Sequence, residues 1–344
     1  MKYSPLISLV LSTSCFAQST PSEFAAMSLE ELFDVDIYEN RVTSPWIFTY
    51  QFKTVEFDGY LDGTEALSDQ EVLWNAPNEP RSAKNFPVVP TTIIQKAHIV
   101  ALEYQFSAQW AGHLSIPYLQ QTTDHISIVN NYKSFVLKTE GLGDVSVSAR
   151  YSGHITDATT WWFSFGLSLP TGSIDEVGDT PREPGDQQLP YTMQLGSGTY
   201  DFPLQLGYQF RGTHDVNVSL AALIRTGTND RHYRLGNTYS LNGRYKFDLS
   251  PTLEPYIGLD FQYSRSIHGQ DDTLLLNGPF PYPASITNPE LYGGKKISLG
   301  LGLLWQVGKD YRLNVEMGKP IYQDLNGPQP KEKWRSAISI SKAL

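Results

Sequence analysis

Cysteine is almost absent from this sequence of 344 residues, which holds one, Cys15, near the N-terminus. A chain cut after that position has no thiol, which excludes disulfides, thiol catalysis and cysteine-bound metals. Basic residues are also few, because 26 Lys and Arg stand against 36 Asp and Glu and leave a formal net charge of −10. Nucleic acids bind clustered positive charge, so we expect no nucleic-acid partner.

Long apolar runs and catalytic motifs are missing as well. Beyond the N-terminal residues, no stretch holds the ~18 consecutive apolar residues of a transmembrane helix. The seven histidines follow no metal-ligand spacing such as His-Glu-x-x-His, and the chain has no Gly-x-Ser-x-Gly elbow. We therefore predict a protein that is not an enzyme and that needs no cofactor or metal.

Two chemical alternatives stay open at this point. The stretch 172–193 is the most acidic of the chain, so a cation site there competes with a solvated loop. A lipase built on a barrel is the strongest enzyme alternative, and it needs a serine beside His98 on the outward face.

The N-terminal residues have the pattern of an export signal. Lys2 precedes the apolar run 6–11, and the small residue Ala17 precedes Gln18, which predicts a signal peptide over residues 1–17. The alternative is a lipoprotein signal that is cut before Cys15. Residues 18–44 then form a periplasmic segment, and the capping box at 28–31 predicts a short helix over 28–33. This segment is either a cap or tether, or a docking peptide for a periplasmic partner.

Period-two alternation is the main positive signal of the sequence. In 161–169, Trp161, Phe163 and Phe165 share one face, and Trp162 and Ser164 share the other. Residues 145–151 alternate in the same way, so the two stretches predict a hairpin with one apolar and one polar face. A strand of that length, tilted by about 40°, rises roughly 23 Å, close to the apolar band of about 25 Å in a membrane barrel.

The same alternation recurs about twelve times between residues 45 and 344. The connections alternate between long and short from the first to the last. The short turns are predicted near 107–109, 156–159, 212–214, 250–252 and 308–310. The long loops are predicted near 61–90, 122–140, 172–193, 227–236, 266–294 and 324–332. An even number of strands with short turns at one end and long loops at the other predicts an all-β fold, a transmembrane antiparallel up-and-down β-barrel in an outer membrane.

Charged residues fall on the faces opposite the apolar ones, and the barrel hypothesis places them on the lumen side. The candidate lumen-lining residues are Glu103, Asp144, Arg150, Arg211, Arg225, Arg244, Asp260, Arg312 and Glu316. On a lipid face each such charge costs a few kcal/mol near the midplane. Two roles stay open: the charges either pair and solvate a narrow interior, or they tune a permeation path.

Four motifs resemble the outer-membrane family called phenol meta-pathway degradation proteins, or transporters. They comprise Leu-Ser-Ile-Pro-Tyr at 114–118, Gly-Leu-Gly-Asp-Val-Ser-Val at 141–147 with Arg150-Tyr151, Gly-Leu-Ser-Leu-Pro-Thr-Gly at 166–172, and Leu-Gly-Ser-Gly at 195–198 with Asp201. The resemblance implies a barrel channel for small, including aromatic, compounds and no catalysis. One departure is Leu344, which replaces the aromatic residue common at the end of such chains.

The combined hypothesis is a passive channel for small hydrophobic or aromatic solutes in the cell outer membrane of a Gram-negative-type bacterium. Its expected partners are outer-membrane lipid, the barrel-assembly machinery and a small-molecule solute. The alternative is a non-transporting, adhesin-like scaffold with a plugged lumen, whose extracellular loops bind partners.

Overall fold

The computed structural model of the protein describes residues 44–212 and 214–344. Seventeen strands lie in this part of the chain, together with one short helix, α1 (Asp69–Val72), and a few three-residue helical turns. The strands are β1 (Trp46–Gly63), β2 (Glu65–Leu67), β3 (Val88–Gln105), β4 (Trp110–Ser127), β5 (Ser134–Leu142), β6 (Val145–Thr156), β7 (Thr159–Leu169), β8 (Val177–Asp179), β9 (Asp186–Gln188), β10 (Asp201–Phe210), β11 (Asp215–Arg225), β12 (Tyr233–Arg234), β13 (Thr238–Lys246), β14 (Leu253–Ser264), β15 (His268–Gly269), β16 (Gly294–Val307) and β17 (Tyr311–Ala343).

Eleven of these strands form a closed antiparallel ring. The order around the wall is β1-β3-β4-β6-β7-β10-β11-β13-β14-β16-β17, and β17 pairs back with β1. β2 and β5 extend the sheet beyond the ring, on β1 and on β4 respectively. The pairs β8–β9 and β12–β15 lie in the loops. Closure gives every wall strand two neighbours, so no strand of the ring has an unpaired edge.

The last strand of the ring crosses the wall twice. Its first part pairs with β16, ending at Leu325 opposite Gly294, and its second part pairs with β1, ending at Ala343 opposite Ile47. The backbone N–H of Ala343 donates to the carbonyl oxygen of Asp310 at 3.0 Å, which brings the two ends of β17 together. The chain therefore reverses near 326–328, and the wall is crossed twelve times. An antiparallel ring requires such an even number, and the sequence prediction of about twelve strands is confirmed.

The alternation of faces follows the sequence pattern. Phe163 and Phe165 on β7 are 39% and 46% exposed, whereas the intervening Trp162 and Ser164 are 4% and 6% exposed. β6 pairs with β7 over the predicted hairpin, with Val145 opposite Leu169. Large apolar side chains thus cover the outside of the ring, and polar side chains together with Trp162 face its interior.

Two of the predicted long loops are wrong. The stretch 122–140 is mostly strand, because β4 continues to Ser127 and pairs with β5 over residues 134–142. Likewise, 324–332 is a tight reversal inside β17. Neither stretch has the outward apolar row of the belt strands, because strands that extend past the apolar belt do not face lipid there. In 122–140 the outward positions include Asp124 and Lys138. The sequence pattern therefore concealed their pairing.

The predicted signal peptide, residues 1–17, lies outside the described residues. The same holds for the predicted helix over 28–33 and for nearly all of the predicted 18–44 segment. Within the described part of the chain, no helix combines the length and the apolar character needed to cross a membrane.

The closing seam between β1 and β17 is testable by cross-linking. Thr49 Oγ1 and Ser341 Oγ face each other at 2.8 Å across this seam. In a Cys15→Ser background, we expect Thr49→Cys with Ser341→Cys to form a disulfide on oxidation. Directly opposed residues of an antiparallel pair have Cα atoms about 4.5–5.5 Å apart, which is within the range that a disulfide spans. Peptide mass spectrometry of the folded protein detects the link.

The matched control moves one cysteine two residues along the same face. Ser339 pairs with Gln51 rather than with Thr49, so a Thr49→Cys, Ser339→Cys protein should remain largely uncross-linked. Equal linking in both double variants would contradict the register.

Candidate permeation path at the outer mouth

One carboxylate ties together the ends of several strands where the long loops begin. Asp144 lies in the two-residue link between β5 and β6, and its Oδ1 accepts a hydrogen bond from the N–H of Gly172 at 2.9 Å. Its Oδ2 accepts from the N–H and the hydroxyl of Ser197, both at 2.8 Å. Asp144 therefore clamps both stems of the 170–200 loop to the wall.

The two stems cross in backbone contact at this clamp. A Cβ atom on Gly196 would overlap the backbone of Gly172, and one on Gly172 would lie 2.5 Å from the carbonyl oxygen of Leu195. The N–H groups of Leu195 and Gly196 both donate to Ser173 O, at 2.9 and 3.0 Å. Only glycine permits so close a crossing at positions 172 and 196.

Beyond the crossing, the loop returns into the end of the barrel. Gln121 Nε2 on β4 donates to Gln194 O at 2.8 Å, and Thr139 Oγ1 on β5 donates to Met193 O at 2.8 Å. Leu195 packs into an apolar cluster with inward residues of β1, β3 and β4, among them Val55 and Ile99. The segment 191–195 therefore lines the mouth of the barrel on one side.

Three tyrosines hold two further loops over this segment. Tyr191 lies between Tyr233 and Tyr292 in edge-to-face contacts, with ring centroids 4.7 and 5.7 Å away. All three are almost fully buried, together with Leu235 and Ile267. Burial raises the pKa of each of these hydroxyls above its ordinary value, so the cluster stays neutral. The loops 170–200, 226–237 and 265–293 thus share one apolar core above the barrel.

Two sets of ion pairs, one buried and one partly exposed, lie in the interior nearer the short-turn end. Glu103 on β3 accepts from Arg150 Nη2 at 2.9 Å and lies 3.3 Å from His113 Nδ1. On the opposite wall, Glu316 lies 3.1 Å from Arg244 Nη2 and accepts from the Tyr256 hydroxyl at 2.7 Å. Both arrangements join side chains of different strands, so they brace the interior as well as solvate it.

Two further clusters lie toward the long-loop end. Arg225 on β11 pairs with Asp201 directly across from it on β10. Glu332 on the second arm of β17 pairs with Lys296 of β16 and, at 2.7 Å, with Arg335. Arg225, Asp201, Lys296 and Glu332 are almost fully buried, and Arg335 is partly exposed. A buried charge is tolerated only when it is paired in this way.

The remaining predicted residues lie apart from these clusters. Arg211 is at a short turn, with its Nε 3.9 Å from Asp215 Oδ2. Arg312 Nη2 lies 3.8 Å from Glu254 Oε2 near the same end of the barrel. Asp260 lies mid-strand on β14, opposite Asn242 of β13. Their part in permeation stays a prediction.

Bulky rings lie flat over glycines on the inner wall. A Cβ atom on Gly207 would overlap the Trp162 ring, and one on Gly302 would overlap the Tyr256 ring. Each ring thus rests on the neighbouring strand, where the missing side chain leaves room. Without these glycines the rings would have to tilt into the interior.

Sequence reasoning missed several of these residues. Tyr256 alternates with the outward Ile257, so the period-two pattern carried the signal of its inward position. Glu332 lies in the stretch 324–332, which the sequence predicted to be a loop. No local signal pointed to the return of 191–195 into the barrel, because its partners lie far away in sequence, on β4 and β5.

The residues that the lipase and cation-site alternatives invoke make other contacts in the structure. His98 Nδ1 is hydrogen-bonded to the Tyr50 hydroxyl at 2.8 Å, and its ring lies 5.0 Å from that of Phe52, within the outer aromatic belt. In the acidic loop, Asp175 pairs with Arg231 at 2.6 Å, and Asp179 accepts from the Tyr132 hydroxyl at 2.6 Å. Across residues 44–212 and 214–344, no cluster of three His, Cys, Asp or Glu side chains could hold a metal ion.

Comparison with known families identifies the chain. A family model described as "Putative MetA-pathway of phenol degradation" matches residues 91–319, well over half of the sequence. The chain therefore belongs to this family, and the resemblance seen in its motifs is confirmed. A comparison with curated proteins gave no significant match.

Solved structures share the fold. An outer membrane channel from Pseudomonas putida F1 superposes with a TM-score of 0.58 at 15% identity, covering 90% of this chain and 99% of the channel. A TodX monoaromatic hydrocarbon channel gives 0.46 at 10% identity, covering 95% of each chain. The translocator domain of the autotransporter NalP from Neisseria meningitidis gives 0.44 at 10% identity, covering 88% of this chain and 90% of that domain. The first match shows that the fold is that of an outer-membrane channel, and the two lower scores carry no inference.

The clamp at the mouth gives a direct prediction. In Asp144→Asn an amide NH2 group replaces one carboxylate oxygen and faces a backbone N–H. At least one hydrogen bond to a charged acceptor is lost, which reduces the free energy that holds the loop by about 1.5–3 kcal/mol. We expect the 170–200 loop to detach more often and trypsin to cleave after Arg182 several-fold faster.

The matched control is Asp157→Asn, an exposed change at the short turn between β6 and β7. Its cleavage rate after Arg182 should equal that of the unaltered protein. Unchanged cleavage in Asp144→Asn would show that the carboxylate does not hold the loop.

Proposed function

We propose that this protein is a channel of the bacterial outer membrane through which small hydrophobic or aromatic solutes pass passively. The observation that carries the proposal is the segment 191–195, which returns into the mouth of a closed barrel and buries Tyr191, Met193 and Leu195 there. When this segment moves aside, a solute can replace the apolar contacts that Met193 and Leu195 make in the closed mouth. Burial of such a solute gains about 25 cal/mol for each Å² of apolar surface.

The charges of the interior support the same solute class. Glu103, Glu316 and Glu332 each pair with a cation on another strand of the wall. Since opposite charges are matched locally, the interior presents little net field to a passing molecule. Such a path discriminates weakly by charge and is compatible with neutral solutes.

The proposed location follows from the outer surface of the ring. Its apolar belt, with Trp46 and Trp110 exposed beside the short turns, matches a bilayer with an aromatic interface. The N–H of Leu344 donates to Trp46 O, so both ends of the ring lie on the short-turn side. In an outer membrane that side is the periplasm, and insertion there requires the barrel-assembly machinery as a partner.

Planar-bilayer recording tests the channel proposal. The full chain should produce discrete conductance steps, and Asp144→Asn should raise the step size because the loop leaves the mouth more often. Phenol should reduce the ion current through the open protein by occupying the apolar mouth, whereas xylitol at the same concentration should reduce it less. Asp157→Asn should behave like the unaltered protein.

The scaffold alternative makes the opposite prediction for the same recording. A folded barrel that stays silent, both unaltered and with Asp144→Asn, would overturn the channel proposal in favour of a plugged scaffold. A different migration of unboiled and boiled protein on a detergent gel establishes that the barrel tested is folded.

A further inference from the structure

A cationic cleft lies on the outside of the wall, at the long-loop ends of β13, β14 and β16. Its volume is about 590 Å³, and its lining includes Arg234, Arg265, His268 and Lys295. None of its lining residues is acidic, although the whole chain carries a net charge of −10. A cleft of this composition selects anions.

The strand registers bring these cations together. Lys295 on β16 lies directly opposite Tyr263 on β14, and Arg265 follows two residues beyond Tyr263. The N–H of Arg265 donates to Asn237 O at 2.9 Å, which fixes the start of its loop against β13. Arg234 faces His268 in the β12–β15 pair above them. The four side chains thus converge from two levels of one short stretch of wall.

The outward rows below the cleft change from apolar to aromatic to cationic. On β14 the order toward the loops is Leu259, Phe261, Tyr263 and Arg265. On β16 the outward row of leucines and Ile297 ends at Lys295. Each step of two residues rises about 6.6 Å along the strand. Such a row matches a bilayer that passes from acyl chains through the aromatic interface to charged headgroups.

The cationic groups carry several N–H donors each. Arg234 Nη1 donates to Gly227 O at 3.1 Å, which uses one of the five N–H donors of its guanidinium. Lys295 Nζ lies 3.3 Å from Asp324 Oδ2, and an ammonium has three N–H donors. An arginine guanidinium can bind two phosphate oxygens at once, and a lysine ammonium binds phosphate as a point charge.

We infer that this cleft binds the phosphate group of a phosphorylated glycolipid in the outer leaflet, of the lipid A type. The acyl chains then lie along Leu259, Phe261 and Ile297, and the phosphate meets Arg265 and Lys295. The inference rests on the membrane location in the proposed function, but it does not depend on solute passage.

Native mass spectrometry of the full chain in detergent micelles tests the inference. We expect one diphosphorylated lipid A to bind per barrel, and Arg265→Gln with Lys295→Gln to weaken it by about tenfold or more, since two charge-assisted contacts are lost. Dephosphorylated lipid A should bind the unaltered protein as weakly as lipid A binds this variant.

The matched control removes two cations elsewhere on the long-loop side. Lys84 pairs with Asp62, and Lys133 donates to Ile128 O, so Lys84→Gln with Lys133→Gln removes the same charge and should leave binding unchanged. Equal affinity of lipid A for the unaltered and the cleft variant would overturn the inference. Competition by inorganic phosphate as strong as that by lipid A would overturn the choice of a lipid.

Two measurements keep the result interpretable. Migration of unboiled protein on a detergent gel shows that each variant is folded, and Arg265→Gln alone serves if the double variant is not. Bilayer conductance should be the same for the cleft variant and the unaltered protein. A silent barrel that still binds lipid A would contradict the channel proposal and leave the lipid site standing.

Discussion

The hydrogen bonds between β1 and β17 close the wall, and the rest of the structure depends on that closure. An open sheet edge in an apolar environment leaves backbone groups unpaired at a cost of several kcal/mol each. Once the ring is closed, its outside can carry aromatic and aliphatic side chains such as Phe163 and Leu259. Its inside must then accommodate the polar half of every strand, which explains why Glu103, Glu316 and Glu332 are all found in pairs with cations.

The motifs that mark the family meet at one point of the folded chain. Gly-Leu-Gly-Asp supplies the Asp144 carboxylate, Leu-Pro-Thr-Gly supplies Gly172, and Leu-Gly-Ser-Gly supplies Gly196 and Ser197. Each residue type has a local reason, since the carboxylate accepts three hydrogen bonds and the glycines allow two backbones to touch. The junction directs the residues that precede it on the returning stem, 191–195, into the mouth. The motifs therefore encode the shape of the entrance rather than a reacting group.

Much of the wall could be predicted from sequence, because side-chain alternation along a strand depends only on local geometry. The hairpin of β6 and β7 and the five short turns are of this kind. Residues 122–140 were predicted as a loop because the alternation rule requires an outward apolar row. Strands that extend past the belt have no such row. The partner of each inner charge could not be predicted either. Arg150 and Glu103 meet because of the stagger between strands, which the spacing of residues along the sequence does not reveal. The inward position of Tyr256 could be predicted from the outward Ile257 beside it. The contact of its ring with Gly302 could not.

The reversal inside β17 also limits how such a wall can evolve. A ring in which all neighbours are antiparallel, and whose two ends leave on the same side, can gain or lose strands only in twos. Its diameter therefore changes in steps of one whole hairpin, since barrel width grows with strand number. Insertion of a single residue within one strand has a different outcome, because it turns the following side chains to the opposite face. Wider or narrower relatives of this barrel should consequently differ by duplicated or deleted hairpins, with their loops carried along.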